Sequence, residues 1–382
     1  MKIAILTLPL HTNYGGILQA FALQTILRRM GYKTEILNNS YNPSLFRIVL
    51  SVIKTMLLHL FGKRRELKVK SIWEQRVMYM RKSQRILSFI ENHLSQTKSQ
   101  LSYVGIKKTI NHRFDVVIVG SDQVWRKAYN VSFPLDSWFL GFASDNVKKI
   151  AYAASFGIDY SDYTSEEITK CGEAFARMNA VSVREISGLL IIKDIHGWTP
   201  KGDCPVVLDP TLLLKAEDYI ACFEKLRIGD TEKKHSSKAL VYVLDECEFT
   251  EPLIESLMPD FDVRQLTSYD VKTDSPLIAP DEWLNEIRTS DIVVTDSFHC
   301  CVFSIIFHKP FIIIGNKVRG NARLESLSKL LSLGDRFVNS IEDFRHKRSG
   351  LLGGAMDYGM IDSHLEEMRE VSRQFLRRNL NN

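Results

Sequence analysis

A chain of 382 residues is too long for one ordinary hydrophobic core and suits two domains. Its 45% hydrophobic and 25% charged residues are those of a soluble globular protein, which excludes bulk disorder. A net charge of +5 is too weak to argue for nucleic acid as a partner, and no apolar run reaches the roughly twenty residues of a membrane span.

The first predicted element is a strand over 3–8, followed by Pro9-Leu-His-Thr-Asn-Tyr-Gly-Gly16 and a helix over 17–30. Gly15 and Gly16 let the backbone approach a ligand at the helix start, and Asn13 can bond either the local backbone or that ligand. No G-x-G-x-x-G dinucleotide fingerprint is present. A second strand begins near 33, so the start reads as a doubly wound α/β unit.

Residues 43–108 break that rhythm. Lys54, Lys63, Arg64, Arg65, Lys68, Lys70, Arg76, Arg81, Lys82 and Arg85 alternate there with large apolar side chains such as Phe46, Trp73, Met78 and Met80. Two readings stand: a basic helical insertion that meets anionic lipid, giving peripheral contact with a membrane, and a solvated helical subdomain packed on the sheet.

The stretch Asp115-Val-Val-Ile-Val-Gly120-Ser-Asp-Gln-Val-Trp125 is a buried strand running into a polar turn. Ser121 and Asp122 there suit a helix cap or a hydroxylated ligand, and Trp125 either stacks on a sugar or anchors the loop. Further strand ends carry Ser155, Arg184 and Asp209. Such convergence is what the ligand edge of a parallel sheet gives.

A boundary falls at 229–238, where apolar content vanishes. Beyond it strands over 239–244 and 262–266 and helices over 252–258 and 279–288 form a second, smaller α/β domain. Its centre is the strand, turn, helix and strand of 291–314, whose turn holds Asp296, Ser297 and His299. Asp296 and Ser297 are good N-caps and have a purely structural reading; His299 is either a polar group at a predicted anion site or a satisfied core histidine. The following loop carries Arg319 and Arg323, whose guanidinium forks suit carboxylate and phosphate. The tail from 364 is expected to be one long helix crossing back to the first domain. The resulting division is 1–230 with the insertion, 239–345, and a tail of 346–382. The six cysteines form neither a C-x-x-C pair nor any metal-ligand spacing, which points to a reduced, cytoplasmic compartment and to no metal site. Nothing in the sequence fixes an oligomeric state.

Asn13-Tyr-Gly-Gly16, the stretch 115–125, Ala151-Tyr-Ala-Ala-Ser-Phe-Gly157, Val183-Arg-Glu185, Leu208-Asp-Pro-Thr211 and Asp296-Ser-Phe-His299 with Lys309-Pro310, in that order, resemble the polysaccharide pyruvyl transferase family. The resemblance implies a GT-B-like fold of two Rossmann-like domains facing across a cleft. It also implies transfer of the pyruvyl group of phosphoenolpyruvate, as donor substrate and with no other cofactor, to a glycan or lipid-linked oligosaccharide of a surface polysaccharide or capsule, giving a ketal. On that reading His299 is acid/base or phosphate ligand, and Asp122 or Asp115 orients the acceptor hydroxyl; Asp115 has the competing reading of a turn cap. Many members of the family carry Arg-Leu-His where this chain has Ser297-Phe-His299. Arg319 or Arg323, or Arg184 from the opposite domain, is expected to supply the charge. The same architecture also suits a sugar-nucleotide-dependent glycosyltransferase or a catalytically silent sugar-binding relative.

Overall fold

The computed structural model describes residues 1–39, 49, 72–98, 101–130, 133–195, 197–227, 237–266, 276–315, 321–354 and 356–381. Short β-branched runs alternate with amphipathic segments, and burying the strands on both faces requires helices above and below. The result is two parallel five-stranded sheets. The first contains β1 (Lys2–Leu6), β2 (Lys33–Ile36), β3 (Val116–Gly120), β4 (Lys148–Ala154) and β5 (Ala180–Val183), in the order β2-β1-β3-β4-β5. The second contains β6 (Lys238–Tyr242), β7 (Asp262–Leu266), β8 (Ile292–Thr295), β9 (Phe311–Ile314) and β10 (Phe337–Val338), in the order β10-β9-β8-β6-β7. Read from β7, the second order repeats the first. Every pairing is parallel.

The central strands β3 and β8 are buried along their whole length. Each is preceded by an aspartate that ties down the start of a neighbouring strand: Asp115 Oδ2 accepts from Lys2 N at 2.7 Å, and Asp291 Oδ2 from Lys238 N at 2.8 Å. Asp115 therefore sits at the N-terminal end of its strand, opposite the edge that carries ligands in such sheets, and its expected catalytic part is corrected to a structural one, holding the start of β1.

The strand expected over 206–208 is reduced to one bridge, Val183 to Val206. Pro205 and Pro210 bracket it and lack the amide donors a longer ladder needs. A 3-10 turn, Pro210–Leu213, follows at once, with Asp209 as its cap.

The C-terminal helix, Tyr358–Leu380, lies against the first domain. Ser372 Oγ accepts from Leu208 N at 3.0 Å, Arg369 Nε donates to Leu212 O at 2.7 Å, and Tyr32 Oη donates to Asn381 Oδ1 at 2.7 Å. The domains also meet at Tyr14, whose ring stacks on Trp283 at 5.2 Å and whose hydroxyl donates to Ile278 O at 3.1 Å. Of the basic insertion, helices Ile72–Lys82, Gln84–His93 and Tyr103–Arg113 are described. Lys54, Lys63, Arg64, Arg65, Lys68 and Lys70 lie outside the described residues.

Candidate functional site

The carboxyl edges of both sheets face one cleft, and four helices begin there. They are Tyr14–Arg29, Ile186–Asp194, Phe298–Ile306 and Ala322–Leu331. Their partly positive N-terminal ends add to the local cation density.

From β1 the chain passes to Asn13, which caps the first helix by accepting from Gly16 N at 3.2 Å. Gly15 then packs flat against the second domain: a Cβ there would lie 2.0 Å from His299 Nδ1. Beside Gly16 is the carboxylate of Asp122, 3.4 Å from where a Cβ would be. The glycine pair was expected to let the backbone approach a ligand; what it approaches here is protein, the His299 ring of the other domain and the Asn13 and Asp122 side chains.

β3 ends in Gly120, whose missing side chain leaves room for Tyr152 O. Ser121 and Asp122 follow at φ of 37° and 56°, a left-handed conformation uncommon for residues with a Cβ. The strain turns both side chains inward, where they are buried. Ser121 Oγ donates to Asp209 Oδ2 at 2.8 Å, and Asp122 Oδ1 lies 4.0 Å from Arg184 Nη2.

Asp209, 1% exposed, is the hub of the cluster. Its Oδ2 accepts from Ser121 and, at 2.8 Å, from Arg184 Nη1, while Oδ1 accepts from Thr211 N at 3.0 Å and Thr211 Oγ1 at 2.7 Å. His299 Nε2 stands 3.6 Å from Oδ2, an ionic contact longer than a hydrogen bond. Burial pushes the Asp209 carboxyl up, but His299, Arg184 and Thr211 together outweigh it and hold the pKa well below the usual carboxylate range. Arg184 mirrors this: burial opposes its charge most strongly, and Asp209, Glu185 and Asp122 together raise it above the ordinary value.

Glu185 is positioned by Ser155, whose hydroxyl donates to Oε1 at 2.6 Å, and its Oε2 lies 3.5 Å from Arg184 Nε. Ser155 thus supports the site through Glu185 and is itself fully buried. Trp125 also serves the scaffold. It is 0% exposed, stacks on Phe139 at 5.1 Å and donates from Nε1 to Trp138 O at 2.9 Å, so it anchors the loop and presents no face to a sugar.

In the second domain the polar turn is largely used by the backbone. Asp296 accepts from Leu244 N and Asp245 N at 2.7 and 3.0 Å, and Ser297 caps its helix by accepting from Cys300 N at 3.4 Å. Phe298 then lies between two guanidinium groups: Arg184 Cζ is 4.7 Å and Arg323 Cζ 5.8 Å from its ring centroid, within cation–π range. Arg319 falls outside the described residues. The half-buried Arg323 guanidinium is pushed down to about 10, by desolvation first and by Arg184 second, and stays protonated at neutral pH.

Arg184, Asp209, Phe298 and Arg323, with Leu208 and Leu327, line an interdomain cavity of about 350 Å³. Arg184 Nε and Nη2, Arg323 Nε and Glu185 Oε2 are buried along it without a hydrogen-bond partner, and so is His299 Nε2, which lies behind Asp209 and does not line the cavity. Leaving one such group without water or another partner costs about 1–3 kcal/mol, and Arg184 Nε and Glu185 Oε2, 3.5 Å apart, offset part of that for each other. Unpartnered donors on two arginines call for an anion with several oxygens. Glu185 and Phe298 were not among the expected site residues, and Asp209 was noted as a strand end and within Leu208-Asp-Pro-Thr211 but given no part in the site. The signal for each was its place in a quoted stretch, Glu185 in Val183-Arg-Glu185 and Phe298 in Asp296-Ser-Phe-His299, though neither residue type there pointed to a role.

A family model described as polysaccharide pyruvyl transferase matches residues 13–318. A search of curated proteins finds no match to the sequence. Among solved structures, UDP-GlcNAc 2-epimerase from Neisseria meningitidis bound to UDP-GlcNAc is similar over 100% of both chains at 11% identity and a TM-score of 0.50. UDP-GlcNAc 2-epimerase from Methanocaldococcus jannaschii, in complex with UDP-GlcNAc and UDP, is similar over 98% of this chain and 100% of its own, also at 11% identity and a TM-score of 0.50. These likenesses concern the fold, the GT-B arrangement of two Rossmann-like halves.

Proposed function

The chain belongs to the polysaccharide pyruvyl transferase family, and on that premise we propose that it moves the pyruvyl group of phosphoenolpyruvate onto two hydroxyls of a polysaccharide sugar or its lipid-linked repeat unit, forming a ketal and releasing phosphate. The observation that carries this reading is the pair of guanidinium groups with donors free of hydrogen bonds, Arg184 and Arg323, on one interdomain cavity, with His299 behind the Asp209 that lines it. Phosphoenolpyruvate has a carboxylate and a phosphate, two planar or tetrahedral oxygen groups for two guanidinium forks. Arg323 takes the part that the family's arginine has where this chain has Ser297.

Chemically, a proton is delivered to the methylene carbon, which becomes the methyl group, while a sugar hydroxyl attacks the carbon bearing phosphate. The second hydroxyl then attacks the same carbon, and phosphate leaves with the bonding electrons. The two hydroxyl protons balance the one gained by the methylene carbon and the one released with phosphate. His299 is the group suited to that traffic, since an imidazole both donates and accepts protons, its Nε2 stands 3.6 Å from Asp209 and its ring packs against the Gly15 backbone. Asp122 orients the acceptor hydroxyl. No other cofactor is required, and because phosphoenolpyruvate is a cytoplasmic metabolite the reaction belongs on the cytoplasmic side of the membrane.

Donor labelled separately in carbon and phosphorus, offered with a panel of lipid-linked oligosaccharides, tests the reading. Carbon label in the glycan with equimolar free phosphate, both lost in His299→Ala, is the expected outcome. Consumption of a nucleotide sugar without turnover of phosphoenolpyruvate points to a glycosyltransferase instead, and turnover of neither points to a binding protein.

A further inference from the structure

Helix Ile72–Lys82 turns an apolar face to solvent. Trp73, Val77 and Met80 are 55%, 47% and 50% exposed, and their spacing of four and then three puts them on one side of the helix. At about 100° per residue the three span an arc of roughly 60°, with Arg81 about 40° beyond one margin and Arg76 about 40° beyond the other. Both arginines are exposed, and Lys82, on the far side, is buried. The next helix, Gln84–His93, provides the contrast: its Ile86, Phe89 and Ile90 lie in the core.

We propose that this face docks the protein on an anionic lipid surface, with Trp73, Val77 and Met80 seated at the headgroup boundary and Arg76 and Arg81 on lipid phosphates. Glu74, the helix's single carboxylate, lies about 20° beyond Arg81, so the two flanks carry two arginines against one acid. An apolar stripe with net positive flanks is the pattern of a helix lying in the plane of such an interface. The charge pattern disfavours the other occupant. A second copy of the chain would set Arg76 and Arg81 of one helix against those of the other, with Glu74 the one carboxylate in each helix.

The helix is also tied to the cleft. Tyr79 Oη lies 3.4 Å from Nδ1 of His11, in the loop that leads to Asn13, and Lys82 O accepts from Leu277 N of the second domain at 3.0 Å. Docking therefore holds the cleft mouth near the bilayer, where a lipid-linked acceptor lies; that last consequence rests on the proposed function, whereas the docking does not.

Full-length protein is sedimented with vesicles of phosphatidylglycerol or of phosphatidylcholine, and its fluorescence is read against brominated lipid. Of the five tryptophans, Trp125, Trp138, Trp198 and Trp283 are buried, so quenching reports on Trp73 and vanishes in Trp73→Phe. The expected result is binding to the anionic vesicles alone, weakened by salt, and reduced at least about tenfold by Arg76→Glu with Arg81→Glu and by Val77→Asp with Met80→Asp. All four positions are exposed, and melting temperature serves as the check on folding. Recovery in the supernatant under every condition overturns the proposal, as does vesicle binding unaffected by either double variant. Self-association that Val77→Asp with Met80→Asp abolishes, without vesicle binding, assigns the face to a second copy and overturns it as well.

Discussion

The two domains share a strand order and differ in how they use the equivalent turn. After β3, Ser121 and Asp122 adopt left-handed backbone and send their side chains into the cleft, where Ser121 holds Asp209. After β8, Asp296 and Ser297 keep ordinary backbone and are taken up by Leu244 N, Asp245 N and Cys300 N. The first domain thus supplies a charged network, and the second supplies one histidine, one aromatic platform and one arginine. Topology decides where a site forms; local conformation decides which side chains at that place are left for chemistry.

The largest effect is expected on the network side. Arg184→Ala leaves Asp209 buried beside an empty space, and removing one partner of a buried pair costs about 3–5 kcal/mol, to be read as a lowered urea midpoint together with loss of transfer. An unchanged midpoint would show that the network does not hold the first domain together. The same network sets acid behaviour. Because Asp209 is held below its ordinary 3.8, its contribution is complete above that pH and drains away as pH falls below it. In Asp209→Asn, which is less stable at neutral pH, that part of the acid-induced loss should be missing from stability curves measured between pH 5 and pH 2.

Next comes the contact between domains. Gly15→Ala places a methyl group where the His299 ring stands, so the imidazole must move, and kcat should fall at least about 100-fold. Gly16→Ala presses instead on Asn13 and Asp122, at 3.3 and 3.4 Å, and should cost less. Parental kcat in Gly15→Ala would remove His299 from the mechanism.

A smaller effect is expected at Arg323. Losing one charge-assisted arm costs about 1.5–3 kcal/mol, so Arg323→Ala should raise the KM for phosphoenolpyruvate roughly tenfold or more and leave the melting temperature near that of the parent. An unchanged KM would return the anion role to Arg184 alone.

The smallest effects belong to the backbone-holding residues. Ser297→Ala removes an N-cap worth about 1 kcal/mol and should leave the donor KM where it was. Asp115→Asn should leave turnover unchanged, because the residue sits at the far end of its strand. A change in donor KM for Ser297→Ala would show that the hydroxyl touches substrate after all and would make the two turns alike.

Much of this was legible in the sequence. Alternating β-branched and amphipathic stretches specify two parallel sheets, since strands buried on both faces need helices on both sides, and polar residues at strand ends locate the edge where ligands gather. The ordered motifs from Asn13 to His299 named the family. What the sequence could not separate was polar side chains spent on backbone from those left over: Asp115, Ser297 and Trp125 had the right residue type and neighbourhood, and each is occupied by a contact distant in sequence or set by local geometry. Asp209 gained its place as hub only when residues 121, 184, 211 and 299 met around it, and Phe298 became a platform only because arginines from both domains reach the same ring. Periodicity fixes which face of an element is buried. Which buried polar groups stay unpaired is a property of the assembled neighbourhood, and the tertiary structure alone decides it.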